Sequence, residues 1–399
     1  MKLLISFFFT LASALWCTAH DSNLSTLDSL IERVLQTHPK LGASRMQIKA
    51  SKSGVDAAEW GYYPTPSLDL GSGKNSSTLA RLEQPLWAGG RIDATYDISV
   101  SKQRESEVAL DENAYILIET LLKTVQNLTQ ARGRIVALTD GQKQLEEFNS
   151  MLDRRIEAGV SSIADRELIK SRIAQISTDL TIAKTSEITS CSQLRLITAQ
   201  PALSCALDAP LSPEPLSNGT IEPMIQKMVA SHPSLLKSDI QIQIAEYEKT
   251  KEQSKLWPTV ALRAEYQKGS VYTDLANEST TVYLSMQMTP GAGLSSLSSI
   301  EASEAKIQQL RFSKLGLEQE LTEGMLRDYD DHRSALDRVQ GTNLSIDASQ
   351  KVLESYSRLF LAGKRQWLDL VNSSKEVTQN KITLADLLSS AYISSYRLK

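Results

Sequence analysis

Apolar residues recur along this chain at two spacings, and the change from one to the other lays out its elements. From Thr26 to about Gly61, Leu27, Leu30, Ile31, Val34, Leu35, Leu41 and Ile48 fall on recurring faces, which predicts helix. His38-Pro39 interrupts that pattern, so a bend or break is expected there. A short stretch rich in Pro, Gly and Ser runs from Pro64 to about Gln84, and Pro85-Leu86-Trp87-Ala88-Gly89-Gly90-Arg91 reads as a turn. Over 91–157 there is no proline, and only Gly133 and Gly141 interrupt. Ala114, Ile118, Leu121, Val125, Leu128, Ile135, Leu138, Leu145, Leu152 and Ile156 recur there at three- and four-residue steps, a coiled-coil-like pattern. Such a helix is a rod of about 100 Å, at about 1.5 Å per residue. It must pack against neighbours.

The rod turns at Ala158-Gly159-Val160-Ser161-Ser162, and a second helix is predicted over 163–198. Pro201, Pro210, Pro213 and Pro215 then mark a linker over 201–220. Beyond it the order repeats. A helix is predicted from Ile221 to Leu256, strands over 259–268 and 280–288, and a turn at Pro290-Gly291-Ala292-Gly293. A long helix over 294–361, a tip turn at Ala362-Gly363-Lys364-Arg365 and a final helix over 367–398 complete the chain.

The residues themselves repeat. His38-Pro39-Lys40-Leu41 returns 194 positions later as His232-Pro233-Ser234-Leu235, and Pro64-Thr65 returns as Pro258-Thr259 in the same register. Two equivalent units, 20–200 and 221–399, are therefore laid end to end, and repeats of long amphipathic segments belong to architectures whose geometry is their function.

The strands have period two. Val260, Leu262, Ala264 and Tyr266 alternate with Thr259, Ala261, Arg263 and Glu265, and Val282, Leu284, Met286 and Met288 with Thr281, Tyr283, Ser285 and Gln287. One face suits lipid and the other water, as in a transmembrane barrel strand. In the first unit, strands over 65–73 and 77–85 show it more weakly: Leu68 and Leu70 alternate with Ser67 and Asp69, and Ala80 and Leu82 with Arg81 and Glu83. Trp60, Tyr62, Tyr63, Trp87 and Trp257 flank the strands, where amphipathic rings suit a bilayer interface. A soluble, half-buried hairpin is the alternative. Four strands cannot close around a pore, and edges cannot stay unpaired in lipid. If the sheet is in the membrane the chain oligomerises, and three copies supply about twelve strands, enough for a barrel.

Composition narrows the class further. The 399 residues are 41% apolar and 6% aromatic, with only 18 Gly and 12 Pro, which favours long helices over a deep globular core. The net charge of −4 comes with no basic stripe, so nucleic acid is not implied. Met1-Lys2, the apolar run Leu3 to Trp16, and Cys17-Thr18-Ala19 read as a signal peptide over 1–19. Lipidation at Cys17 is disfavoured by Trp16, since that signal needs a small residue there. Cys191 and Cys205 are a disulfide candidate for an oxidising compartment, with two free thiols as the alternative. No nucleophile turn or metal-ligand cluster stands out, so neither an enzyme nor a cofactor is expected.

With the repeat, the strand pairs and the tips in place, the chain resembles the TolC family of outer-membrane efflux proteins. The likeness rests on the His-Pro-x-Leu start of each half, Tyr62-Tyr63-Pro64, Leu256-Trp257-Pro258, the Gln84 to Arg91 motif, and the Gly159…Asp165 and Gly363…Asp369 tips. It implies a mainly α fold with a small β part, trimerising into a 12-stranded outer-membrane barrel continued by a periplasmic α-helical barrel. It also implies a Gram-negative outer membrane and two partners: a periplasmic adaptor (membrane fusion protein) and an inner-membrane transporter, ABC or other. The adaptor would dock at the tip turns, Gly159, Val160, Ser161, Gly363 and Lys364. The implied periplasmic gate is an acidic ring at Asp369, with Asn372 where the family has a second acid, and an Arg365 latch with Asp165 as its partner. Three carboxylates converging on one axis would attract cations, although Asp369 and Asp165 could merely start their helices, where acids suit the dipole. For cargo, type I secretion of a protein such as a large adhesin is the expectation, with drug efflux as the alternative. A soluble periplasmic coiled-coil adaptor is the reading from a different class.

Overall fold

The computed structural model describes residues 26–71, 77–205, 220–269 and 278–398. Residues 1–19, expected to be a signal peptide, with Cys17 among them, and most of the 201–220 segment lie outside the described residues.

The first repeat opens with α1 (Leu27–Thr37) and α2 (Pro39–Glu59). Strands β1 (Thr65–Gly71) and β2 (Ser77–Trp87) follow, then α3 (Arg91–Glu157) and α4 (Ile163–Ile197). The second repeats the order: α5 (Glu222–Ser231), α6 (Pro233–Gln253), β3 (Thr259–Lys268), β4 (Ser279–Gln287), α7 (Ser296–Leu361) and α8 (Trp367–Arg397).

The duplication is visible in local geometry. His38 is extended (φ −69°, ψ 128°), and its Nδ1 accepts the Lys40 N–H at 3.1 Å to cap α2. His232 does the same for α6 (φ −66°, ψ 125°), accepting the Ser234 N–H at 3.2 Å. Proline follows each as the first helical residue, where its missing N–H costs nothing. The single helix expected over 221–256 is therefore broken at His232, as the earlier one is at His38. Both helices have 21 residues and end in a 3₁₀ turn that leads into a strand.

The four strands form one antiparallel sheet in the order β1-β2-β3-β4. The central pairing of β2 with β3 joins the repeats, setting Arg81 opposite Glu265 and Glu83 opposite Arg263. The turn expected over Pro85–Arg91 begins only at Ala88. Pro85 still pairs with Ala261 inside β2, and the register shifts before Trp87. A bulge is where a strand tolerates a residue without an N–H. Gly89 (φ +59°) then lets the chain pass Trp257, whose Cβ would lie 2.7 Å from any Cβ built on Gly89.

The helices pack as two antiparallel hairpins, α3 with α4 and α7 with α8, and α3 lies against α8, α2 and α6. Gly133 and Gly141 do not interrupt α3. A Cβ on Gly133 would meet the Ala385 Cβ at 2.4 Å, and one on Gly141 the Thr378 Oγ1 at 2.5 Å. These glycines set how closely α3 and α8 approach. One apolar cluster lies near the tip, with Leu152, Ile169, Phe360, Trp367 and Leu370; another joins α1, α3, α4 and α8 through Leu30, Val34, Leu121, Leu128, Leu194 and Ile393. The second includes the Cys191–Cys205 disulfide, whose Cα atoms are 5.8 Å apart. Arg134 holds Asp386 with two hydrogen bonds, 2.9 and 2.8 Å, across α3 and α8. No described helix is long and apolar enough to cross a membrane.

Candidate functional site

The two ends of the molecule carry its chemistry. At the sheet end, strand alternation sorts the side chains by face. Arg81, Glu83, Arg263, Glu265 and Tyr283 share one side, where Arg81 pairs with Glu265 at 2.5 Å and Arg263 with Glu83 at 2.8 Å. The Tyr283 hydroxyl donates to Glu265 at 3.0 Å. Leu68, Leu70, Leu82, Leu262, Val282, Leu284 and Met286 point to the other side and are exposed. A water-soluble sheet would bury that apolar face, and this one leaves it open. The charged pairs, which sequence reading did not single out, depend on a cross-repeat register that no local pattern reveals.

The flanking aromatics gather where helix meets sheet. Trp60 lies against Tyr63 with ring centres 5.3 Å apart, Trp87 meets Trp257 edge to face at 6.2 Å, and the Tyr62 hydroxyl donates to Asp93 at 2.8 Å. All five rings stay substantially exposed.

At the far end, the two tips are copies of each other. Gly159 (φ +74°) and Gly363 (φ +73°) adopt the left-handed conformation that ends a helix. The N–H of Val160 returns to the Arg155 carbonyl, and that of Lys364 to the Leu359 carbonyl, each at 2.9 Å. Added side chains would meet nothing within 4 Å at either glycine, so φ alone demands glycine there. Ser161 accepts from Arg155 Nε at 3.3 Å. Val160, Ile163, Leu361 and Leu368 project their side chains outward at these tips.

The tips differ in how their next helices start. Ser162 caps α4, with Asp165 accepting the Ser162 N–H at 3.3 Å in a reciprocal capping box. Within the chain, Arg365 makes its contacts on its own side of the tip. Arg365 donates to Asp369 at 3.2 Å and to the Tyr356 hydroxyl at 3.4 Å, and its guanidinium lies 4.4 Å above the Tyr356 ring. Asp369 is half-buried and Asn372, three residues on, is exposed. A second arginine escaped the sequence reading. Arg155 of α3 lies 4.6 Å above the Phe360 ring and donates to the Phe360 carbonyl at 3.5 Å, joining the two hairpins.

An amphipathic sheet joined to paired helical hairpins is the fold of outer-membrane channels of the TolC type. Residues 30–200 match the family model described as Outer membrane efflux protein. The fold matches the outer membrane protein VceC of Vibrio cholerae at a TM-score of 0.78 and 13% identity, covering 93% of this chain and 94% of that one. It also matches the open state of the Neisseria gonorrhoeae MtrE outer membrane channel (0.73, 15%, 92% and 88%). The Campylobacter jejuni CmeC outer membrane channel is a third (0.71, 12%, 92% and 84%). No curated protein matches the chain.

Proposed function

We propose that three copies of this chain close into a passive exit duct through the outer membrane, fed by a periplasmic adaptor and an inner-membrane transporter. One observation carries the reading: the alternating sheet exposes its apolar face and ends in two open edges, β1 and β4. Each unpaired backbone group in hydrocarbon costs several kcal/mol, so the edges need partners, and identical copies supply them without leaving new ones. The polar face, with its Arg-Glu pairs, then lines the lumen.

At the tip, three copies of Asp369 surround the axis as a charge-selective ring, and Asn372 leaves it with one carboxylate per chain. Arg365 latches α8 to α7 through Tyr356. The exposed apolar residues of the tip turns, around Gly159, Val160, Ser161, Gly363 and Lys364, offer the adaptor its docking surface. The signal peptide over 1–19 delivers the two repeats.

The matched family's description as efflux proteins supports small-molecule efflux as the cargo class. Type I protein secretion, which the sequence reading favoured, uses the same duct and is separated from it by one experiment. Deletion of the gene is expected to raise susceptibility to small toxic compounds. Loss of a secreted surface protein with unchanged susceptibility would overturn the efflux reading and leave the duct standing.

A further inference from the structure

The repeat assigns the strand register between neighbouring copies, an inference that rests on the proposed trimer. Within one chain, β2 closes the first unit and β3 opens the second. Around a ring of copies, β4 closes the second unit and β1 of the next chain opens another first unit. The β4–β1 seam is thus the quasi-equivalent of the β2–β3 seam, which the structure displays in full.

Equivalent positions follow from the pairings. Thr65 and Thr259 correspond, 194 positions apart, and each opens its strand. Thr65 faces Glu83 and Thr259 faces Gln287, so Gln287 stands for Glu83. Glu83 faces Arg263, and the residue corresponding to Arg263 in β1 is Asp69. We infer that Gln287 of one copy lies opposite Asp69 of the next, with Met286 opposite Leu70 and Ser285 opposite Gly71.

Face chemistry, which did not enter that mapping, agrees with it. Gln287 and Ser285 lie on the polar side with Asp69 and Gly71, while Met286 and Leu70 lie on the apolar side, each about 71% exposed. A one-residue slip would set Met286 against Asp69 in lipid, because each such shift exchanges the faces. Only even slips compete, and the quasi-equivalence chooses among them.

The two seams differ in charge. Within the chain the equivalent positions hold Glu83 and Arg263, an ion pair at 2.8 Å. Between copies they hold Gln287 and Asp69, a neutral donor facing a carboxylate. The seam inside the chain is tied by charge; the one between copies carries a single uncompensated carboxylate at this position.

Cysteine pairs test the register in isolated outer membranes. D69C/Q287C, treated with a thiol oxidant and run without reductant, is expected to form inter-chain dimers and trimers in several-fold higher yield than D69C/S285C or D69C/T289C, each displaced by two residues. A higher yield from either displaced pair overturns the register. The particle mass of the unmodified protein in detergent separates the two readings: a three-chain particle in which D69C/Q287C does not exceed both displaced pairs overturns the register alone, and a one-chain particle overturns the trimer with it. Charge gives an independent readout. Q287R is expected to raise the temperature at which the oligomer dissociates in SDS and Q287E to lower it, and the opposite order contradicts the assignment.

Discussion

Arg365 stands 4.4 Å above the ring of Tyr356, so the tip turn just before α8 is held to the last turns of α7 by a cation over an aromatic face. The same guanidinium holds Asp369, one turn into α8. An exposed cation–π contact contributes about 0.5–1 kcal/mol and an exposed i,i+4 ion pair about 0.3–0.5 kcal/mol. Such contacts are weak in each chain, as the proposed gate would require if it is to open.

Removing them should favour the open tip. Arg365→Ala is expected to raise single-channel conductance in planar bilayers severalfold, and Tyr356→Leu to do so less, since Asp369 keeps its partner. Unchanged conductance in Arg365→Ala would remove the latch from the account.

Close packing of α3 on α8 makes a prediction with opposite signs at two glycines. Gly141→Ala drives a methyl to 2.5 Å from Thr378 and 2.9 Å from Ile176, and should cost about 1–3 kcal/mol of stability. Gly54→Ala, in α2 with nothing within 4 Å, should instead stabilise by about 0.5–1 kcal/mol. Thermal melts followed by helical circular dichroism would read both, and a Gly141→Ala protein as stable as the parent would show that the helices are not in contact there.

The repeat was legible because its markers are local. A histidine before a helix-starting proline, and strands that alternate every second residue, announce themselves without knowledge of the rest of the chain. What escaped depends on partners far away in sequence. Gly133 and Gly141 look like helix breakers until Ala385 and Thr378 of α8 appear against them. Pro85 looks like a turn until β3 pairs beside it. The Asp165 capping box is likewise seen only once the backbone of Ser162 is placed. Arg155 offered no signal beyond a position four residues before the tip glycine.

Acid should weaken the junction of α5 and α6. Burial lowers the His232 pKa below its ordinary value, against the opposing pull of Glu112 and Glu119. The neutral ring also caps α6 through Nδ1, an acceptor that protonation removes. A depressed folded pKa means that the stabilisation is complete above the unfolded value, about 6.5, and is lost as pH falls below it. Melting temperature is expected to drop between about pH 7 and 5, and His232→Asn, which keeps a neutral cap, to flatten that drop. An identical pH dependence in the variant would show that His232 does not titrate in this range.

The disulfide closes a loop of about 15 residues, for which chain entropy predicts about 3 kcal/mol. C191S/C205S is expected to melt several degrees lower and to be cut by protease more readily within residues 198–205 than the parent is. Equal resistance in the two proteins would leave the bridge without a structural role.

The central claim is that identical chains complete the wall that four strands leave open. Light scattering of the protein extracted from outer membranes in detergent measures it directly. Three chains per particle, released only by detergent, is the predicted result; a single chain that stays in solution without detergent contradicts it.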